Sequence, residues 1–272
     1  MIRVAAYQAT PKHLMGERLQ QIIEALEKAD DEQINFLCFP EGFLTGYYAE
    51  KELAEQTSMV VASSDFQNFL KRAAHFKVTF IIGFSERESD KIYDSAAVIE
   101  KGKLLGIQRK HYLYHDYFTS DNQFLPFQSK GVTFGVVICL DTNYFEPARI
   151  LALQGATILF SPMCNKVSSD HAYAKRPPYY SHFVARTHEN RCWLISADWI
   201  WTDDGTSVCP GHSVIYDPDG REVARSQEGK EQFLIADIPL NHLFHEKGRR
   251  VHGSQKLAQA IEQLTQGAMQ WK

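Results

Sequence analysis

The feature that most limits the fold is a rhythm: short apolar runs of strand length alternate with longer segments whose apolar residues recur every three or four positions. Met1–Ala9 reads as a first strand. Between Gly16 and Ala29, Leu19, Ile22, Ile23 and Leu26 fall on one helical face. Ile34–Phe39 reads as a buried strand running into Pro40-Glu41-Gly42. Ser64 is placed to cap a second helix carrying Phe66, Phe69, Leu70 and Ala73 on one side. Val78–Phe84 and Tyr93–Glu100 follow as strands, the second turning at Lys101-Gly102-Lys103. The later half repeats the order: strand Val132–Ile138, helix Pro147–Gln154, strand Ala156–Phe160, a helix over about Tyr179–Asn190, and strand Cys192–Ala197. Ser213–Tyr216 and Gln232–Ile238 then flank the turn Asp217-Pro-Asp-Gly220.

The repeated order implies two related halves. Phe36-Leu-Cys-Phe-Pro-Glu41 and Ile158-Leu-Phe-Ser-Pro-Met163 both set a proline just past a buried strand. No Gly/Ser-rich linker separates the halves, so residues 1–272 are expected to form a single domain, with 241–272 a C-terminal tail and Ser254–Lys272 helical within it. Helices mixed with this many hairpins call for α/β layers around mixed sheets rather than a purely parallel sheet.

With 33 acidic against 29 basic residues the net charge is −4, which gives no electrostatic footprint for nucleic acid. The five cysteines are odd in number and form no CxxC, so a disulfide framework is not expected and a reducing, cytoplasmic setting is. The N-terminus does not read as a signal peptide, and no stretch reaches the roughly 18 apolar residues of a membrane helix.

Three residues that bear chemistry share a type of location. Glu41, Lys110 and Cys139 each stand at or just beyond the end of a strand, where groups distant in sequence can meet. Singly, each has a structural reading: a loop acid, a solvated charge and an inert buried thiol. Together they point elsewhere, because charges beside apolar strands need partners. The histidines, His111, His115, His171, His182 and His188 among them, match no ligand spacing with an accompanying acid, so neither a metal nor another cofactor is expected.

The surroundings carry a resemblance. Phe39-Pro-Glu-Gly-Phe-Leu-Thr-Gly-Tyr47, Arg109-Lys-His-Tyr-Leu113 and Gly135-Val-Val-Ile-Cys-Leu-Asp141 with Glu146 resemble the three blocks of the nitrilase superfamily of carbon–nitrogen hydrolases, in order. Tyr93-Asp-Ser-Ala-Ala-Val-Ile99, Ala148–Gly155, Ala185–Asn190 and Gly211-His-Ser213 extend it over residues 1 to 240. The resemblance implies a four-layer α-β-β-α sandwich, subunits paired into a homodimer or higher homo-oligomer, and a small amide or carbamoyl substrate. It assigns Cys139 as nucleophile, Glu41 as general base and acid, and Lys110 as oxyanion partner, with the Leu140 N–H as a second donor. A neighbouring ammonium is expected to favour the thiolate of Cys139.

The sequence departs from that family in places. Where many members carry a second Glu after the lysine, this chain reads Tyr112-Leu-Tyr-His-Asp-Tyr-Phe, leaving Asp116 as a possible second acid and His115 as another candidate. Leu140, Asn143 and Phe145 replace familiar residues after the cysteine. The missing Arg argues against a carbamoylase that grips a carboxylate with a guanidinium, and the missing Trp-Glu pair against a true nitrile hydrolase. Tyr47, Tyr144, Cys164, Asn165 and Trp199 are pocket candidates, and Cys164 is also a rival nucleophile. The expected reaction is hydrolysis of a small linear amide or carbamoyl compound through a cysteine acyl-enzyme. The alternatives are acyl transfer to an amine and a catalytically idle interaction protein of the same fold.

Overall fold

The structure is a computed structural model that describes residues 1–169, 181–202 and 207–244, together with Gln259. Fifteen strands are present among these residues: β1 (Ile2–Gln8), β2 (Phe36–Cys38), β3 (Thr79–Glu88), β4 (Lys91–Glu100), β5 (Lys103–Arg109), β6 (Phe127–Ser129), β7 (Val132–Val136), β8 (Ile158–Pro162), β9 (Val167–Ser168), β10 (Trp193–Ala197), β11 (Ile200–Thr202), β12 (Ser207–Pro210), β13 (Val214–Tyr216), β14 (Glu222–Arg225) and β15 (Gln232–Ile238). The helices are α1 (Met15–Asp31), α2 (Lys51–Thr57), α3 (Ser64–Arg72), α4 (Phe145–Leu153), α5 (Ser181–Asn190) and α6 (Leu240–Phe244), with a 3-10 turn over Cys139–Asn143.

Two six-stranded sheets run β15-β1-β2-β3-β4-β5 and β14-β13-β10-β8-β7-β6. The halves correspond strand for strand. Parallel β1, β2 and β3 lead into an antiparallel β3-β4-β5 meander. Parallel β7, β8 and β10 lead into antiparallel β13 and β14. β15 crosses from the second half to pair antiparallel with β1, Ile2 opposite Ile238.

Period-two alternation builds the layers. Val4, Ala6, Phe36 and Cys38 on sheet one, and Phe134, Val136, Ile158, Phe160, Trp193 and Ile195 on sheet two, form one core between the sheets. The intervening residues face outward: Ala5, Tyr7 and Leu37 pack beneath α1 and α3. Leu159 packs beneath α4, and Leu194 joins Phe183 of α5. The result is the expected α-β-β-α sandwich.

Two expectations need correction. Ser63, not Ser64, caps α3, its hydroxyl accepting from the Phe66 N–H at 3.3 Å. Helix α2 went unread because Ala54 is its one buried residue, leaving no apolar stripe to read. The tail helix expected over Ser254–Lys272 lies outside the described residues, Gln259 apart, as do His171 and the first residues of the helix read from Tyr179. Among the described residues no helix is long and apolar enough to cross a membrane.

Candidate active site

Glu41 is carried on the tight turn that follows β2. Its N–H donates to the Met163 carbonyl at 3.3 Å, and its carbonyl accepts from Trp199 Nε1 at 2.7 Å. Gly83 of β3 lies so close behind it that an added Cβ would come within 2.7 Å of the Glu41 backbone and 2.3 Å of the Gly42 nitrogen. Only glycine permits that approach. Lys110 follows β5 directly, held by its N–H donating to the Asp94 carbonyl at 2.8 Å.

Glu41 and Lys110 bond directly, a further acid joins them, and Cys139 lies close enough for the charges of both to bear on its thiol. Lys110 Nζ donates to Glu41 Oε1 and, at 3.0 Å, to Oδ2 of Asp94 on β4. The side chains of Lys110, Glu41 and Asp94 are 1%, 1% and 2% exposed. Two buried acids therefore share one ammonium. Asp94 lies inside the block Tyr93–Ile99 that extends the family resemblance, and its sign in the sequence is an acid within the apolar run Ile92–Ile99.

Cys139 opens the 3-10 turn at φ +40°, a left-handed conformation that few residues other than glycine adopt. Unlike its charged neighbours it is only partly buried. The turn is fastened from below. Thr142 Oγ1 donates to the Cys139 carbonyl at 2.7 Å. The buried Asp141 carboxylate accepts from the N–H groups of Tyr112 at 2.8 Å and His111 at 3.2 Å, tying the turn of Cys139 to the segment that carries Lys110.

Burial dominates the electrostatics of the cluster. Burial drives the Glu41 carboxyl well above its ordinary range; Lys110 opposes this and Asp94 adds to it. Oε1 is occupied by Lys110, whereas Oε2 is buried without a hydrogen-bond partner. Burial also works against the Lys110 ammonium, but Asp94 and Glu41 together outweigh it and hold the lysine charged. The Cys139 thiol is pushed up by burial first and then by the Glu41 charge, with Lys110 opposing. Lys110 was expected to favour the thiolate; against burial and Glu41 it does not prevail, and the sulfur keeps its proton. Asp141 is pushed up to about 6 by burial.

The remaining candidates divide. The Tyr47 ring is partly buried 5.8 Å from Lys110 Nζ and 5.4 Å from the ring of His115. His115 stacks on Tyr117 at 5.3 Å, and burial, followed by Lys110, lowers its pKa, so it is neutral near pH 7. Asp116 is exposed to solvent. Leu140 is the second residue of the 3-10 turn. Tyr144 is 42% exposed and stacks on Tyr112 at 3.6 Å. Asn165 is spent on structure, its backbone and side-chain N–H groups donating to buried Asp198 at 3.0 and 3.1 Å. The thiol of Cys164 is raised first by a hydrogen bond with buried Cys209 and then by burial. Among the described residues no group of three or more His, Cys, Asp or Glu side chains is arranged to hold a metal ion.

Fold and site define a class: an α/β enzyme whose paired sheets gather a carboxylate, an ammonium and a thiol in one place. Comparison makes this specific. The carbon-nitrogen hydrolase family model matches residues 3–243, and the chain belongs to that family. A probable nitrilase of Schizosaccharomyces pombe is 29% identical over 252 residues, covering 88% of this chain and 89% of that protein. Among solved structures, a carbon-nitrogen hydrolase from Helicobacter pylori G27 superposes with a TM-score of 0.78 at 21% identity, covering 91% of this chain and 92% of that one. A mutant amidase from Nesterenkonia sp. AN1, with acrylamide added at its active-site cysteine, gives 0.75 at 20% identity, covering 92% and 98%. Membership of the family makes the chain a carbon–nitrogen hydrolase, an enzyme of amide C–N bond cleavage.

Proposed function

We propose that the protein hydrolyses a small linear amide or carbamoyl compound through an acyl-enzyme on Cys139. The observation that carries this reading is the buried Glu41–Lys110 pair with Cys139 beside it, close enough that the charges of both bear on its thiol. Glu41 takes the thiol proton as the sulfur attacks the carbonyl carbon. An ammonium has three donors; Glu41 and Asp94 occupy two of those on Lys110, and the third is left for the oxyanion alongside the Leu140 N–H. As the tetrahedral intermediate collapses, the C–N bond breaks and Glu41 returns its proton to the leaving amine, giving the thioester. Water then attacks the acyl carbon, Glu41 takes its proton, and the acid leaves as the thiol is restored. His115, neutral and facing Lys110, is the better placed of the two second-site candidates to orient the leaving amine, because Asp116 faces solvent.

The test is intact-mass analysis after mixing the protein with a panel of short amides and carbamoyl compounds. The expected result is an acyl adduct on the wild type that is absent from Cys139→Ala. An adduct that survives this substitution, or that maps to Cys164, overturns the assignment.

A further inference from the structure

Asp94 is not explained by the mechanism above, which asks only for an acid, an ammonium and a thiol. It lies on β4 opposite Ser85 of β3, fully enclosed, and takes a donor of Lys110 that would otherwise serve Glu41 or the substrate. A carboxylate buried in such a place is costly, and a simple anchor for the lysine stem is already supplied by the backbone bond from the Lys110 N–H to the Asp94 carbonyl.

We propose that Asp94 is a positioning residue that tunes Glu41: by drawing part of the Lys110 charge to itself and adding a second negative charge, it makes Glu41 the better proton acceptor that a protonated Cys139 requires. This rests on the reading of Glu41 and Cys139 given above. Without Asp94, the Glu41–Lys110 pair would be a neutral, self-satisfied ion pair and a feeble base. Moving a proton from Cys139 to Glu41 leaves the net charge of the cluster unchanged and shifts the negative charge from the carboxylate to the sulfur. Asp94 shares the ammonium with Glu41 and bears on that carboxylate, so its charge favours the transfer by repelling the ionised Glu41 more than the thiolate. The other groups facing Glu41 are Tyr47 from its own loop, Tyr117 from the segment after Lys110, Cys139 from the 3-10 turn and Cys164 from beyond β8; Asp141 and His115 bear on the lysine side. Among these, Asp94 is the acid in direct contact with the ammonium that Glu41 uses.

The experiment is the rate of alkylation of Cys139 by iodoacetamide as a function of pH, followed by intact mass and peptide mapping. It needs no knowledge of the substrate. In the wild type the acid limb should lie above the ordinary Glu value of about 4.3. In Asp94→Asn, removing one charge from an enclosed cluster should move that limb down by about one pH unit or more and lower the plateau roughly tenfold. Asp94→Glu keeps the charge and should keep the limb where it is, even with a lower plateau. A plateau that falls in Asp94→Asn with the limb unmoved marks a merely structural residue and overturns the proposal. A wild-type limb at or below about pH 4.3 overturns it without any variant. Labelling that maps to Cys164 rather than Cys139 instead defeats the nucleophile assignment, so the two failures are distinguishable.

Discussion

Replacing Lys110 by Met tests the buried charge cluster directly. The variant retains a stem of similar volume and loses the ammonium, leaving Glu41 and Asp94 at 1% and 2% side-chain exposure without the cation they share. Removing one partner of a buried ion pair costs roughly 3–5 kcal/mol, because the remaining charge is left uncompensated. At this chain length each kcal/mol lowers Tm by about 2 °C, so a fall of about 6–10 °C is expected near neutral pH. The pH dependence carries the stronger test. A carboxyl whose folded pKa is raised, as that of Glu41 is by burial, stabilises the fold fully below its unfolded pKa and loses that contribution as pH rises through the folded value. Without Lys110 the rise is larger and Asp94 shares it. The deficit relative to wild type should therefore be small near pH 4 and grow towards pH 8. The Lys110 ammonium, its own pKa raised, keeps stabilising the wild type across that whole window. Urea denaturation of both proteins at several pH values measures the difference. A deficit below about 1 kcal/mol at pH 7.5, the magnitude of an exposed pair, or one that is flat from pH 4 to 8, would refute the cluster's role.

Gly83→Ala should displace the Glu41 turn, costing about 1–3 kcal/mol in stability and about a hundredfold in kcat, since a catalytic group misplaced by about 1 Å loses that much; retained kcat in thermally weakened protein would show that the turn adapts. His115→Ala should reduce kcat/KM more than Asp116→Ala does, measured on whichever amide gives an acyl adduct; the reverse order would restore the acid to the site. Phe160→Leu, between the sheets, and Phe66→Leu, under α3, should each cost about 1–2 kcal/mol, yet only the former should lower kcat, by about tenfold or more, because it alone loosens the seam across which Glu41 faces Cys139. Equal kcat values in the two variants would mean that the seam tolerates the loss.

Much of this site was legible because strand ends are legible. Apolar runs bounded by Pro40, by the Lys101-Gly102 turn and by Gly155 put Glu41, Lys110 and Cys139 at equivalent places in the chain, and the rhythm of the two halves anticipated the paired sheets. What stayed hidden depended on facing rather than on order. Asp94 occupies one register position of β4, and nothing in the run Ile92–Ile99 says that this position looks onto Lys110 rather than onto solvent. Asn165 lies in the loop after β8 where a pocket residue was expected, but its amide is claimed by Asp198, just past the end of β10. The left-handed backbone at Cys139 was invisible too, since cysteine has no preference for it and the turn is imposed by Asp141 and Thr142.

The charged groups and the cysteine of the site are divided between the two sheets. Glu41, Asp94 and Lys110 all come from sheet one, where the β3-β4-β5 meander and the Gly83 contact fix them within a single hydrogen-bonded unit. Their relative geometry is therefore as rigid as the sheet itself. Cys139 comes from the other sheet, on a turn that rises from β7 and packs partly against the inter-sheet core and partly against the cluster around Phe183. An acid and an ammonium act best where water is excluded and their fields are unscreened. On the proposed mechanism, the packed seam lets one sheet hold the dry charge cluster while the other brings the sulfur up to it.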